Sequence, residues 1–276
     1  MPSDASPPPG PGCAGAPPTA IVGPGRPDTI RRVTASITDT LDPFRLPRHT
    51  IPSRYEVKLE PDLEAGTFTG SVRIEVDTVE PAAEFVLNAI ELAVDSCTVD
   101  GGEATFELHA DTERLFVRPS GGVTPGRHEL RFGFRGILND KLRGFYRSTY
   151  RDADGTERVI AATQMQSTDC RRAFPCWDEP DFKAVFAVTL VVEPEMTAVS
   201  NGSVVSESER DGKRVVRFAD SMMMSSYLVA FVVGPLEATE WHDADGIPVR
   251  IVHVPGKDDL TGFGIEVATF CLRWFQ

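Results

Sequence analysis

The chain has 276 residues, of which 41% are hydrophobic, and its 28 basic and 41 acidic side chains give a formal charge of −13. That length and apolar content suffice for a self-contained core, while the acidic balance repels phosphate backbones and excludes nucleic acid as the expected partner. No run reaches the roughly 18 apolar residues of a membrane-spanning helix, and the start, MPSDASPPPGPGCAGAPP, lacks the basic and apolar regions of a signal peptide.

Residues 1–45 carry nearly half of the 22 prolines and four charges of each sign. Such a segment buries too little apolar surface to offset its ordering entropy, so it is expected to be a disordered Pro/Gly-rich tail, with at most a short helical piece at ITDTLDPF. From residue 47 the apolar period becomes two. In FTGSVRIEV, Phe68, Val72, Ile74 and Val76 share one face and Thr69, Ser71, Arg73 and Glu75 the other. YEVKL at 55–59 and LRFGFR at 130–135 repeat the alternation, and FVLNAIEL, ATFELHA and RLFVRP follow as shorter strands between Gly, Asp and Pro turns.

FKAVFAVTLVVEP at 182–194 is apolar on both faces in its later part, as a central strand covered on two sides should be. VVRF at 215–218, SYLVAFVVGPL at 226–236 and PVRIVHVP at 248–255 bring the count to about a dozen strands. Short turns without regular intervening helices predict a mostly β fold, an antiparallel sandwich or a broad curved sheet. The rhythm changes at the end: IEVATFCLRWF at 265–275 places Val267, Phe270, Cys271 and Trp274 at helical spacing. Either this helix packs back on the sheet or it leads into a further domain.

Five cysteines, Cys13, Cys97, Cys170, Cys176 and Cys271, are sparse and odd in number, which points to a reducing compartment and makes the cytoplasm the expected location. Cys170 and Cys176 could bridge if their loop folds back. The five histidines, His49, His109, His128, His242 and His253, include no pair four residues apart and no HExxH, so a zinc-hydrolase centre is not expected within this chain. A GxSxG elbow and a glycine-rich phosphate loop are likewise missing from the sequence.

Candidate chemistry concentrates in TQMQSTDCRRAFPCWDEPDF at 163–182. Arg171 and Arg172 lie close in chain to Asp169, Asp178, Glu179 and Asp181, so ion pairs can brace a non-regular loop. Pro175 and Pro180 restrict the backbone, and Phe174 and Trp177 anchor it. Just upstream, Gln164 and Gln166 alternate with Met165, which in a strand puts both amides on one face. The stretch reads equally as a corner locked by salt bridges or as the wall of a binding site.

The same stretch resembles the M1 (gluzincin) family of zinc aminopeptidases, the aminopeptidase N-like enzymes. LPRHTIPSRYEVKLEPDL at 46–63, TFTGSVRIEV, RGFYRSTY at 143–150, SNGSVV at 200–205 and SSYLVAFVVGPLE at 225–237 agree in order, so the resemblance covers residues 46–276. It implies a saddle-like antiparallel β domain at 46–256. It also implies that residues 257–276 are a linker and first helix leading into a thermolysin-like catalytic domain, whose GAMEN and HExxH motifs this sequence does not contain. In the family, the residue at the position of Gln166 is usually a glutamate that binds the substrate's free α-ammonium, and the glutamine at the position of Gln164 lines the same end of the S1 region. Arg171, Arg172, Asp178 and Glu179 would then brace the loop.

The departure at Gln166 turns a charge-assisted contact into a neutral one, as in the leukotriene A4 hydrolase-like branch of the family. The resemblance thus implies the amino-terminal portion of a zinc metalloaminopeptidase that removes amino-terminal residues from peptides. This chain would supply part of the wall for the substrate's amino end, bind no zinc of its own, and be inactive alone. The alternative is a standalone β module for binding, which could pair with a separate catalytic chain; a non-peptidase scaffold of the same fold is a third reading.

Overall fold

A computed structural model describes Asp42 and residues 44–276. The expectations of a disordered tail at 1–45 and of a short helix at 37–44 therefore lie outside the described residues, apart from Asp42, Phe44 and Arg45. Those three are held: the guanidinium of Arg114 donates to the backbone carbonyls of Asp42 and Arg45, and Phe44 N donates to the Asp42 carboxylate at 2.7 Å.

The chain first forms β1 (Thr50–Asp62), β2 (Thr67–Thr78), β3 (Phe85–Asn88), β4 (Leu92–Val99), β5 (Gly102–His109), β6 (Arg114–Pro119) and β7 (Gly126–Ile137). There follow β8 (Gly144–Arg151), β9 (Glu157–Gln164), β10 (Val185–Val192), β11 (Thr197–Ser200), β12 (Val204–Arg210), β13 (Lys213–Phe218) and β14 (Phe231–Gly234). The last strands, β15 (Glu237–Ala238), β16 (His242–Ala244), β17 (Ile247–Val249) and β18 (Val252–His253), are short and precede the helix α1 (Thr261–Phe275). The mostly β expectation is met.

Ten strands form one sheet in the order β12-β13-β10-β1-β2-β7-β4-β5-β6-β3, and four form a second in the order β11-β14-β9-β8. β15 pairs with β18 and β16 with β17 in separate two-stranded ribbons. Alternation in sequence becomes alternation in burial: Phe68, Val72, Ile74 and Val76 of β2 are buried, while Thr69 and Ser71 face solvent. On the solvent side charges meet across strands, as where Arg73 on β2 contacts Glu56 of β1 and Glu129 of β7. Asp-Gly pairs at 100–101 and 211–212 close two-residue hairpins with positive φ at both positions, which matches the strand twist.

The structure corrects three readings. The large sheet is not wholly antiparallel, because β10 runs parallel to β1, with Tyr55 beside Phe186 and Leu59 beside Leu190. A parallel pair needs a long crossover, and more than a hundred residues, including the whole 163–182 loop, lie between these two strands. SYLVAFVVGPL opens with a 3-10 turn at Ser226–Leu228 before β14, and PVRIVHVP breaks into β17 and β18 around Arg250–Ile251. The helix begins four residues earlier than its apolar spacing suggested. Its partly buried side, with Gly264, Ile265, Ala268 and Leu272, differs from the predicted stripe, of which Val267, Phe270 and Trp274 are exposed.

Candidate functional site

Behind the 163–182 loop lies an aromatic floor. Tyr55 stacks on Phe186 at 4.8 Å with rings nearly parallel, and its hydroxyl accepts a 3.0 Å hydrogen bond from Trp177 N. Tyr55, Phe174, Trp177 and Phe186 are all buried. Burial pushes the Tyr55 phenol well above its ordinary pKa, so the hydroxyl stays neutral and serves as a fixed acceptor.

On that floor the charges of the loop are paired inward. Arg171 donates from Nε and from its backbone N to Asp178 Oδ2 at 3.0 and 3.2 Å, from Nη2 to the Asp178 carbonyl, and from Nη1 to Glu113 Oε2 at 2.8 Å. The other Asp178 oxygen accepts from Ser226 Oγ at 2.6 Å, and Asp178 N donates to Asn88 Oδ1. Burial alone would lower the Arg171 pKa, but the charge and hydrogen bond of Asp178 outweigh it, so the net shift is upward and the guanidinium stays ionised.

Arg172 contacts Asp169 Oδ1 at 2.8 Å and Glu91 Oε2 at 2.7 Å, while Arg143 holds Asp169 from the far side. Gly144, at φ +66, opens β8 under this turn. A Cβ there would lie 2.5 Å from the Arg172 Cβ, so the close approach requires glycine. Glu179 does not pair within the loop. Its carboxylate accepts from Leu46 N and meets Arg45 and Arg48 at 3.2 and 2.8 Å, tying residues 45–48 to the corner.

Gln164 is the last residue of β9, opposite Gly144 of β8, and Gln166 lies in the turn just beyond, where the Gln166–Ser167 peptide is cis. Both glutamines are exposed and Met165 between them is buried. The structure thus places the two amides on the solvent side of a strand end, although the strand itself stops one residue short of Met165. Sequence reading missed Asn88, Glu91, Glu113 and Ser226, which complete the bracing. Asn88 also exchanges backbone hydrogen bonds with Cys176, at 2.8 and 3.1 Å. Their positions in ordinary strand and turn patterns carry no signal for the role.

Cys170 and Cys176 are buried and unbridged, with Asp178 within ligand reach. Burial raises both thiols, which keeps them protonated and inert, and the Asp178 oxygens are already used by Arg171 and Ser226.

Residues 51–228 match the Peptidase M1 N-terminal domain, more than half of the chain. The chain belongs to the peptidase M1 family. It is 40% identical over 241 residues to Aminopeptidase M1 of Arabidopsis thaliana, which covers 84% of this chain and 27% of the relative. It is 41% identical over 240 residues to the Puromycin-sensitive aminopeptidase of Caenorhabditis elegans, covering 84% and 25%, and 39% identical over 238 residues to the mitochondrial Aminopeptidase 2 of Saccharomyces cerevisiae, again covering 84% and 25%. The chain therefore spans about a quarter of the length of these M1 relatives.

The catalytic zinc of M1 enzymes does not fit the residues of this chain. Its five histidines include no HExxH pair. His128 commits both ring nitrogens, to Asp100 Oδ2 and the Thr124 carbonyl, each at 2.7 Å. Among the described residues no helix is long and apolar enough to cross a membrane.

Proposed function

We propose that this chain is the amino-terminal portion of a zinc metalloaminopeptidase acting on peptides, that Gln164 and Gln166 form part of the wall receiving the substrate's free amino end, and that the chain alone is inactive. The observation that carries the wall role is the pair of exposed amides beside a corner held by buried ion pairs. An amide carbonyl accepts a hydrogen bond from an ammonium group, and a rigid backing lets that contact select chain ends over internal peptide bonds. With glutamine rather than a carboxylate at 166 the contact is neutral, weaker by on the order of 1–2 kcal/mol, or roughly tenfold in binding.

The uncovered row Phe263, Phe270, Trp274 and Phe275 on α1 supports contact with further polypeptide, such as a catalytic portion like that of the longer M1 relatives. The unbridged cysteines support a reducing compartment, the cytoplasm.

The test has two stages. The 276-residue chain, freed of contaminating peptidase, releases no amino acid from an aminoacyl-amide reporter, with or without zinc; turnover would overturn the claim of inactivity. Then residues 46–276 replace the matching region of the Arabidopsis Aminopeptidase M1. The chimera cleaves the reporter, and Gln166→Glu tightens binding of a free-amine competitive inhibitor by roughly tenfold. Inhibitor binding indifferent to Gln164→Ala, Gln166→Ala and Gln166→Glu alike would remove the wall role.

A further inference from the structure

Where the β15–β18 ribbon meets the loop before α1, Glu237, His253 and Asp258 bring one carboxylate oxygen, one ring nitrogen and a second carboxylate oxygen within 4.8 Å of one another. The geometry points to a divalent-cation site here, for zinc or a similar borderline ion, that fastens the loop at 254–258 to the ribbon.

The tautomer of His253 decides what its ring can bind. Its Nδ1 lies 2.8 Å from the Val254 carbonyl, and a carbonyl can only accept, so Nδ1 carries the proton. Nε2 then presents a lone pair, the form in which imidazole binds metals, with the backbone carbonyl in the orienting role usual for a ligand histidine. The side chain is only 8% exposed, and Nε2 is buried without a hydrogen-bond partner. Asp258 Oδ1 lies 3.0 Å away, yet off the direction in which an N–H would point, so a proton on Nε2 gives an ion pair there without a directed hydrogen bond.

With Nε2 unprotonated, its lone pair and the carboxylate oxygen repel at that distance unless they share a cation. A separation of about 3 Å is also the edge expected for ligands that each lie about 2.0–2.2 Å from a common ion. Glu237 approaches from β15. One of its oxygens is within 3.4 Å of Gly256 N, at the tip of the same loop. One imidazole and two carboxylates suit zinc and its neighbours better than magnesium or calcium, which prefer oxygen alone. Two of the three ligands are exposed, so the ion can enter from solvent and water can complete its shell. The set lacks the second histidine and the glutamate of an HExxH motif.

The test is zinc titration of the chelator-treated full chain by calorimetry, followed by X-ray absorption at the zinc edge. One ion binds per chain, the thermal midpoint rises with zinc concentration, and the nearest shell contains nitrogen and oxygen at about 2.0–2.2 Å without sulfur. Glu237→Gln and Asp258→Asn, both at exposed carboxylates, each weaken binding more than about tenfold, and His253→Gln abolishes it. His242→Gln, on the neighbouring ribbon, leaves it unchanged. Absence of saturable binding at millimolar zinc, a sulfur shell at about 2.3 Å marking the buried cysteine pair, or affinity indifferent to Glu237→Gln and Asp258→Asn would each overturn the assignment.

Discussion

The corner at 169–179 and the terminal ribbons with α1 use similar residues to opposite effect. Both contain aromatics, arginines and acids. At the corner, the Arg171 and Asp178 side chains are 11% and 0% exposed, whereas the ion pair that holds α1, Arg273 to Asp245, is 54% exposed on both sides. Trp177 is sealed under the corner while Trp274 is 74% exposed. The difference lies in who supplies the partners. The corner draws on β3, the turns at Glu91 and Glu113 and the 3-10 turn at 226–228 as well as its own loop, so each charge has several contacts. The helix meets little beyond the β16–β17 ribbon, and its aromatic row has no cover among the described residues.

The largest expected effect follows from that over-determination. Asp178→Ala strands a buried guanidinium and frees Ser226 and the Arg171 backbone N–H at once, so it should cost about 3–5 kcal/mol in urea unfolding. Asp245→Ala, which breaks the exposed pair on α1, should cost about 0–1 kcal/mol. Equal losses at the two positions would erase the contrast. A finer probe of the corner is Tyr55→Phe, which keeps the ring stack but leaves the buried Trp177 N–H without its acceptor, at a cost of about 1–3 kcal/mol by the same measurement.

The exposed row should respond in solubility rather than stability. Phe270→Ser and Trp274→Ser remove apolar surface that is largely exposed, from two rings whose centroids are 6.3 Å apart. Unfolding free energy should move by less than about 0.5 kcal/mol, while binding of a hydrophobic dye and self-association should fall. A clear loss of stability would show that the row is buried in solution.

How far these features could be read beforehand follows the range of the interactions. Alternation is local, so the buried faces of β1, β2 and β7 and the outward pair Gln164 and Gln166 were legible from residue order. That Arg171 and Arg172 would brace a loop rich in acids was legible too, since Asp169 and Asp178 are only three and seven residues away. Glu113 is 58 residues from Arg171 and Asn88 is 90 from Asp178, and nothing local marks either. The parallel pairing of β1 with β10 is hidden for the same reason. The helix misleads in a different way. Its aromatics advertise an apolar stripe, yet the inner side is Gly264, Ile265, Ala268 and Leu272, and the backbone comes close at the glycine: a Cβ on Gly264 would sit 2.6 Å from Ile251 Cδ1.

A further small effect concerns a pair belonging to neither region. His128 sits between two acceptors, the Asp100 carboxylate and the Thr124 carbonyl, which both ring nitrogens satisfy only when each carries a proton. Burial lowers the His128 pKa, but the two hydrogen bonds and the carboxylate charge outweigh it, so the folded value is raised. For Asp100, burial pushes up while His128 and the Glu129 N–H pull down harder, so its folded value is lowered. His128 therefore contributes its full stability below the unfolded value of about 6.5 and loses it as pH rises through the higher folded value. Asp100 contributes above about 3.9 and loses its share as pH falls through the lower folded value. With Asp100 52% exposed, screening limits the pair to about 0–1 kcal/mol. The stability gap between the native chain and His128→Gln should thus be widest near pH 5–6 and shrink on the alkaline side. A gap that stays flat across that range would mean the imidazole is held by packing against Phe85, 5.6 Å away, rather than by its charge.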